Sequence, residues 1–430
     1  MNRKLYLVED RIARGWEPFA LTRPVGEMLF GALLLRERIE RATGMRTAAY
    51  LGAPELEGFE EEGTPPVGLP DGETGAYDRC ILLSRYVPPL SATADPALEL
   101  PPAGAGNAVL TLQDGTVVGW ILQPGAPWPP PDAFSDPDSR EFQLTGEAGP
   151  EIALPGRVLE SPWQLMAESP DILGDDLSLL QPGGGSSDAL PLPELPGVHR
   201  VGDHPVSTEA GVVVDPSVVL DTRPGPIHLS QGVHLRPFTH LRGPAFVGRD
   251  SVLLGGVFEA ISCGPVCKLR GEVDTTVVLG YSNKAHDGYL GHSLVGRWVN
   301  LGAFTTNSDL KNNYGLIRVL TDEGERETGL MKVGAFLGDH AKTGIGTLLN
   351  GGTIIGAGAN VFGGRMPSKR VPAFGWGSGE TFSAYRLDAF LDTAQRAMER
   401  RGKRLTSGTR ALFSRAWESV HGPVPDTPAS

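Results

Sequence analysis

The chain has 430 residues, 40% hydrophobic and 21% charged, with a formal net charge of −13 at pH 7. That length allows two or three domains with cores of their own, and the acidic balance excludes a protein that coats nucleic acid, which needs a basic face to displace counterions. A local phosphate site stays open, since one or two arginines are enough to make one.

The amino terminus, MNRKLYLVED, has too few apolar residues for a secretory leader, and no stretch approaches the roughly 18 apolar residues that span a bilayer. Three cysteines, Cys80, Cys263 and Cys267, cannot make a disulfide framework. A reduced, cytoplasmic home without membrane or nucleic-acid partners is expected. The Cys263-x3-Cys267 spacing has no second pair for zinc, and small buried hydrophobes are the alternative. No metal site is expected.

Residues 1–178 read as an α/β layer domain. KLYLV (Lys4–Val8) is a buried strand, and VGEMLFGALLLRERIERATG (Val25–Gly44) has helical apolar spacing and a closing glycine. RTAAYLG and RCILLSRYV are further strands, and AVLTLQDGTVVGWIL is a hairpin turning at Asp114-Gly115. Residues 179–205, rich in Gly, Ser and Pro, read as a linker.

Residues 206–380 carry the clearest pattern. Leu229, Leu235, Leu241, Val247 and Leu253 fall six residues apart, and the period returns at Leu337, Thr343, Leu349, Ile355 and Val361. A helix needs a period of 3.6, so this is the hexapeptide signature of a parallel β-helix with three hexads to a coil. His228, His234 and His240 share the period and therefore face three different sides, as solvated histidines rather than a metal cluster. Residues 381–430 contain apolar residues at helical intervals, a C-terminal helix packing on the β-helix, and a basic end that reads as a solvated face, with phosphate contact as the alternative.

Within the repeat, polar residues gather in YSNKAHDGYLGHSLVGRWVNLGAFTTNSDLKNNYG (Tyr281–Gly315). This stretch resembles the GHxxYLG…VNIGAGT segment of the acetyltransferase half of GlmU-type bifunctional enzymes, which make UDP-N-acetylglucosamine. CGPVCKLRGE is similar to that family's phosphate-arginine segment, and KRVPAF to its coenzyme A segment. The whole chain looks like a divergent branch of sugar nucleotidyltransferases, named by analogy with GlmU or with glucose-1-phosphate thymidylyltransferase.

The resemblance implies a nucleotidyltransferase-like α/β domain, a left-handed β-helix and a homotrimer whose sites lie between subunits. It implies acetyl-CoA as co-substrate, a sugar phosphate as acceptor, and His286 as the general base, an imidazole being the side chain suited to proton transfer near neutrality. Arg270 and Lys284 would hold the sugar phosphate, Tyr289 and Asn300 its hydroxyls, and Ala303 would border the thioester. Arg370 would touch coenzyme A, and Lys311 and Asn313, on the loop Thr305–Lys332, would reach the site. At the family's oxyanion serine stands Asp339. In the first domain, VEDRIARGWEPFALTRP replaces the family's glycine-rich phosphate loop, with Arg23 at the mouth of the pocket. Ser84-Arg85 replaces the Gly-Asp that would hold Mg²⁺. Acyl transfer on the β-helix, nucleotidyl transfer from a nucleoside triphosphate, and a non-catalytic sugar-nucleotide sensor all remain open. A β-helix carbonic anhydrase would need His-x4-His, and His286 and His292 are one residue too far apart.

Overall fold

The computed structural model describes residues 3–69, 76–90, 97–128, 149–180 and 189–423. The first domain is built on a mixed sheet in the order Thr47–Leu51, Arg3–Val8, Asp78–Leu83, Val117–Leu122, Ala108–Thr111, Glu151–Ala153. Arg3–Val8 is parallel to both neighbours and Val117–Leu122 antiparallel to both of its own. The hairpin turns at Asp114-Gly115, where the Asp114 carboxylate accepts from the Thr116 N–H.

The helix expected over Val25–Gly44 occupies only Leu35–Thr43, closed by Gly44 at φ 68°. Its first half is a 3₁₀ turn, Val25–Glu27, followed by a small hairpin of Leu29–Phe30 and Leu33–Leu34. Gly31 in that hairpin has φ +66°, and a Cβ there would strike the Asp176 carboxylate and Ile172. Close backbone approach outweighs helical propensity in this stretch.

From Leu190 the chain winds into a parallel β-solenoid. One ten-stranded sheet runs from Leu190–Pro191 to Arg370–Val371, and only its first pair is antiparallel. Leu190–Pro191 and His199–Val201 belong to the solenoid sheets, so the stretch read as linker already contributes to the first coils. The hexad residues fill the interior: Leu229 stacks on Val247, Leu235 on Leu253 and Leu337 on Ile355, all fully buried. The coils shorten in the middle, where Cys263 lies directly under Val278. Cys263 and Cys267 are free, buried thiols in this core.

Of the three periodic histidines expected as solvated side chains, His234 and His240 keep 29% and 41% of the side chain exposed, and His228 departs from the expectation. His228 is fully buried, between Ser207, Glu209 and the ring of Phe246. His234 pairs with Asp215, and His240 lies beside Asp221. They do not converge, as their phase requires.

One outer face of the solenoid is apolar rather than polar. Val277, Leu294, Phe336 and Ile354 stand in register along the long sheet, each one residue before its inward neighbour. Trp16, Phe19, Val25, Met28 and Phe30 of the first domain cover them in one shared core. The two modules are therefore packed face to face. The helices Leu387–Glu399 and Ser407–His421 close the structure. Their Phe390, Leu391, Leu412, Phe413 and Trp417 join the core of the first domain, so the tail bridges both modules instead of resting on the solenoid alone. Among the described residues, no helix is long and apolar enough to cross a membrane.

Candidate active site

A groove of about 950 Å³ runs between the solenoid flank and the helix Leu387–Glu399. The corners of two successive coils supply Asn283, His286, Asn300, Gly302 and Ala303, and the last turn of the helix and its exit supply Arg396, Arg400 and Arg401. Lys268 and Lys342 complete its cationic lining, and among the described residues no carboxylate lines it. In an acidic chain, five cations gathered without a counter-charge are poised for an anion bearing several phosphates.

Arg401 donates to the Asn283 side chain at 2.7 Å, which ties the tail to the solenoid across the groove. Burial pushes the Lys342 amine down to about 8. Gly302 is required where it stands, because a Cβ would meet the Gly344 backbone at 2.5 Å. That keeps this part of the wall flat beside Ala303.

The structure brings His286, Asn300 and Ala303 together and takes the other expected residues elsewhere. Lys284 is 3% exposed and stands at an inward position, paired in register with Leu269. Its ammonium donates to the carbonyls of Arg270 and His286, at 2.9 and 3.0 Å, and burial pushes it down to about 8. It is a brace under the His286 loop, not a hand for phosphate. Arg270 is spent on Asp287 and the Leu254 carbonyl. Tyr289 lies round the next corner and donates to Asp309 at 2.6 Å.

Lys311 and Asn313 hold their own turn, donating to the Leu316 carbonyl and accepting from the Gly315 N–H. The insertion they begin folds as a hairpin, Arg318–Thr321 with Gly324–Glu327, whose Ile317 and Val319 pack into the core shared with the first domain. It turns away from His286. Arg370 is next in the outward row under the first domain and pairs with Glu17 and Asp322.

Arg23 lies at the junction of all three parts, lining a cavity of about 220 Å³. It is 1% exposed and donates to Asp339 at 2.9 Å and to Glu61 at 2.8 Å. Asp339 also accepts from the Thr22 hydroxyl and the Arg297 N–H. Its charge is thus neutralised by the first domain, which explains an aspartate at this place. The sequence did not point to this pairing across 316 positions, nor to the basic tail as a groove wall.

The first domain spends its own polar groups in the same way. Glu9 caps the Val25 and Gly26 N–H groups, and burial raises its carboxyl to about 7. Asp10 accepts from the Ala13 N–H and pairs with Arg85 at 2.8 Å. Arg36 is paired with Glu27, and Arg38 with Asp176. The Ala13, Val25 and Gly26 N–H groups and Arg36, Arg38 and Arg85, near the carboxyl ends of the parallel strands where such sheets take ligands, are already satisfied by carboxylates.

Residues 5–184 match the family model described as sugar nucleotidyl transferase. Over 111 residues the chain is 32% identical to a bifunctional sugar-1-phosphate nucleotidylyltransferase/acetyltransferase of Sulfurisphaera tokodaii, covering 26% of each. Over 162 residues it is 30% identical to the bifunctional protein GlmU of Synechococcus elongatus, covering 38% of this chain and 28% of the relative. The matches thus span about a quarter of the length of these relatives. A solved structure of AntD, an N-acyltransferase from Bacillus cereus in complex with dTDP-4-amino-4,6-dideoxyglucose and coenzyme A, matches at 12% identity with a TM-score of 0.19. That match covers 46% of this chain and 90% of that one, and so slight a likeness carries no argument.

A nucleotidyltransferase-type α/β domain seated on a hexapeptide solenoid is the architecture these observations define. The chain is similar to sugar nucleotidyl transferases over residues 5–184 and, at modest identity and over part of its length, to bifunctional GlmU-type proteins.

Proposed function

We propose that this chain is a transferase that moves an acetyl or related acyl group from a coenzyme A thioester to the amine of a hexosamine 1-phosphate in the His286 groove. The observation that carries the reading is the groove's lining: one imidazole, two carboxamides and five cations with no carboxylate among the described residues. His286 takes a proton from the amine as its nitrogen bonds to the thioester carbonyl carbon. The C–S bond then breaks, and the sulfur leaves as thiolate and takes up that proton. Asn283 and Asn300 orient the acceptor, and Lys342, Arg396, Arg400 and Arg401 hold phosphates. The first domain serves as a docked support, since its phosphate-facing groups are spent internally.

Acetyl-coenzyme A and glucosamine 1-phosphate, with release of free thiol as the readout, test this directly. Protein that binds neither compound would sink the reading. Pyrophosphate release from UTP or dTTP with Mg²⁺ and a sugar 1-phosphate would instead favour nucleotidyl transfer.

Lys342 gives the binding a pH signature. An anion favours the charged amine, so coenzyme A affinity is expected to hold below pH 8 and to fall several-fold as pH rises through about 8 to 9.5. Calorimetry on Lys342→Gln should show weaker binding at pH 7 and a flatter profile. An unchanged profile would remove Lys342 from the phosphate site.

We also propose a homotrimer. Phe304, Ile345 and Phe362 are 63%, 76% and 37% exposed along one edge, and Ile345 also lines the groove beside Ala303. An apolar stripe at the rim of the site is what a neighbouring subunit would cover. Light scattering is expected to give a trimer for the native chain and a smaller species for Ile345→Asp. A native monomer at micromolar concentration would refute it.

A further inference from the structure

We propose that Asp274, His292 and Asp309 form a binding site for a divalent transition-metal cation at a corner of the solenoid, separate from the His286 groove. They come from three successive coils. Asp274 ends the strand Lys268–Asp274, His292 follows Tyr289–Gly291 in register beside it, and Asp309 follows Thr306–Asn307, whose Asn307 is hydrogen-bonded to Gly291 in both directions. One donor atom from each lies within 4.8 Å of the others.

The His292 Nδ1 is 2.7 Å from Asp309 and 3.9 Å from Asp274. A tetrahedral ion with bonds near 2.0 Å sets its donors roughly 3.3 Å apart, so loading asks only for side-chain shifts of less than about an ångström. Tyr289 brings its hydroxyl, a fourth polar atom, to the same Asp309 carboxylate. Thr275 donates to the Asp274 carboxylate from behind, as outer partners of metal ligands do.

This arrangement differs from the chain's other histidine contacts. His228, His234 and His240 each meet one carboxylate, whereas His292 faces two. The imidazole also separates the site from a plain acidic cluster, because a nitrogen with two carboxylates suits zinc, manganese or cobalt better than magnesium or calcium. Binding would replace the 2.7 Å hydrogen bond between His292 and Asp309.

The position suggests what the ion does. Asp309 is the last residue before the insertion that the Leu310–Lys332 bridge closes, and the Val333 N–H returns to its carbonyl. An ion on Asp309 would tie the root of the insertion to two rigid coils.

The test uses the full-length, untagged, chelator-treated protein with cobalt(II) and zinc(II) alone. One cobalt per chain is expected, with visible d–d absorption that zinc displaces, and with slower proteolysis in the insertion. Asp309→Asn and His292→Asn should each weaken binding by at least about tenfold. Asparagine suits the left-handed backbone of His292, at φ 47°. His286→Ala should leave cobalt binding intact, which separates this site from the acyl-transfer reading. Absence of stoichiometric cobalt binding, or binding indifferent to both substitutions, would overturn the proposal.

Discussion

Replacing Arg23 with methionine is expected to lower the stability of the folded chain by about 3–5 kcal/mol, the usual cost of removing one partner from a buried ion network. Arg23 is buried, Asp339 is 4% exposed, and the Glu61 side chain is 13% exposed. Burial alone would oppose the guanidinium charge, and Asp339 and Glu61 outweigh it, raising Arg23 above its ordinary value. Without Arg23, Glu61 keeps Arg297 at 3.0 Å, but Asp339 is left with a hydroxyl and a backbone N–H.

The loss falls on the joint between modules, because Arg23 and Glu61 belong to the first domain and Asp339 and Arg297 to the solenoid. Urea unfolding followed by tryptophan fluorescence should show an earlier transition, with faster proteolysis of the first domain. Arg23→Met with Asp339→Leu should recover part of the loss, since it removes the stranded charge. If the single variant unfolds with the native chain, the network holds nothing together. Acid should act on the same joint. Burial pushes the Glu61 carboxyl up, Arg23 and Arg297 pull it down further, and the net shift is below the ordinary value. Its contribution is therefore complete above about pH 5 and is lost as pH falls below the ordinary carboxylate range.

The joint also marks where sequence reasoning reached and where it stopped. The six-residue period located the solenoid interior because each inward position repeats through the coil, as at Leu229 and Val247. The docking face left a signal as well. Val277-Val278, Leu294-Val295, Phe336-Leu337 and Ile354-Ile355 are adjacent apolar pairs, and a solenoid wall open to water needs only the inward member of each. A reading fixed on the period of six passes over the outward member.

For the site, local resemblance singled out His286, Asn300 and Ala303, which share a wall of the groove. It failed for Lys284, because the short coil between Cys263 and Val278 shifts that lysine to an inward position, under the backbone rather than in the groove. For the basic tail, a solvated face is the first reading and phosphate contact the second. Arg396, Arg400 and Arg401 read as a solvated helix face until the path of the helix across the solenoid is known.

His286→Ala is expected to lower acyl transfer to glucosamine 1-phosphate by roughly a hundredfold or more, the scale of losing a general base. The argument is one of elimination within the groove. Lys342 carries charge at neutral pH even with its amine lowered to about 8, and arginines do not give up their protons. Asn283 and Asn300 cannot accept a proton from an amine to any useful extent. Tyr289 and His292 are committed to Asp309 round the corner. Among the described residues, His286 is the lining side chain that combines exposure to the groove with an imidazole nitrogen, the group suited to accepting a proton. The Lys284 brace on its own carbonyl fixes the backbone from which it projects. The loss should appear in kcat with little change in the affinity for coenzyme A, because the phosphates rest on other residues. A pH–rate profile for the native chain should show an acid limb, where protonation of the base lowers the rate, that the variant lacks. Turnover that survives His286→Ala intact would leave the groove as a binding site and remove the mechanism.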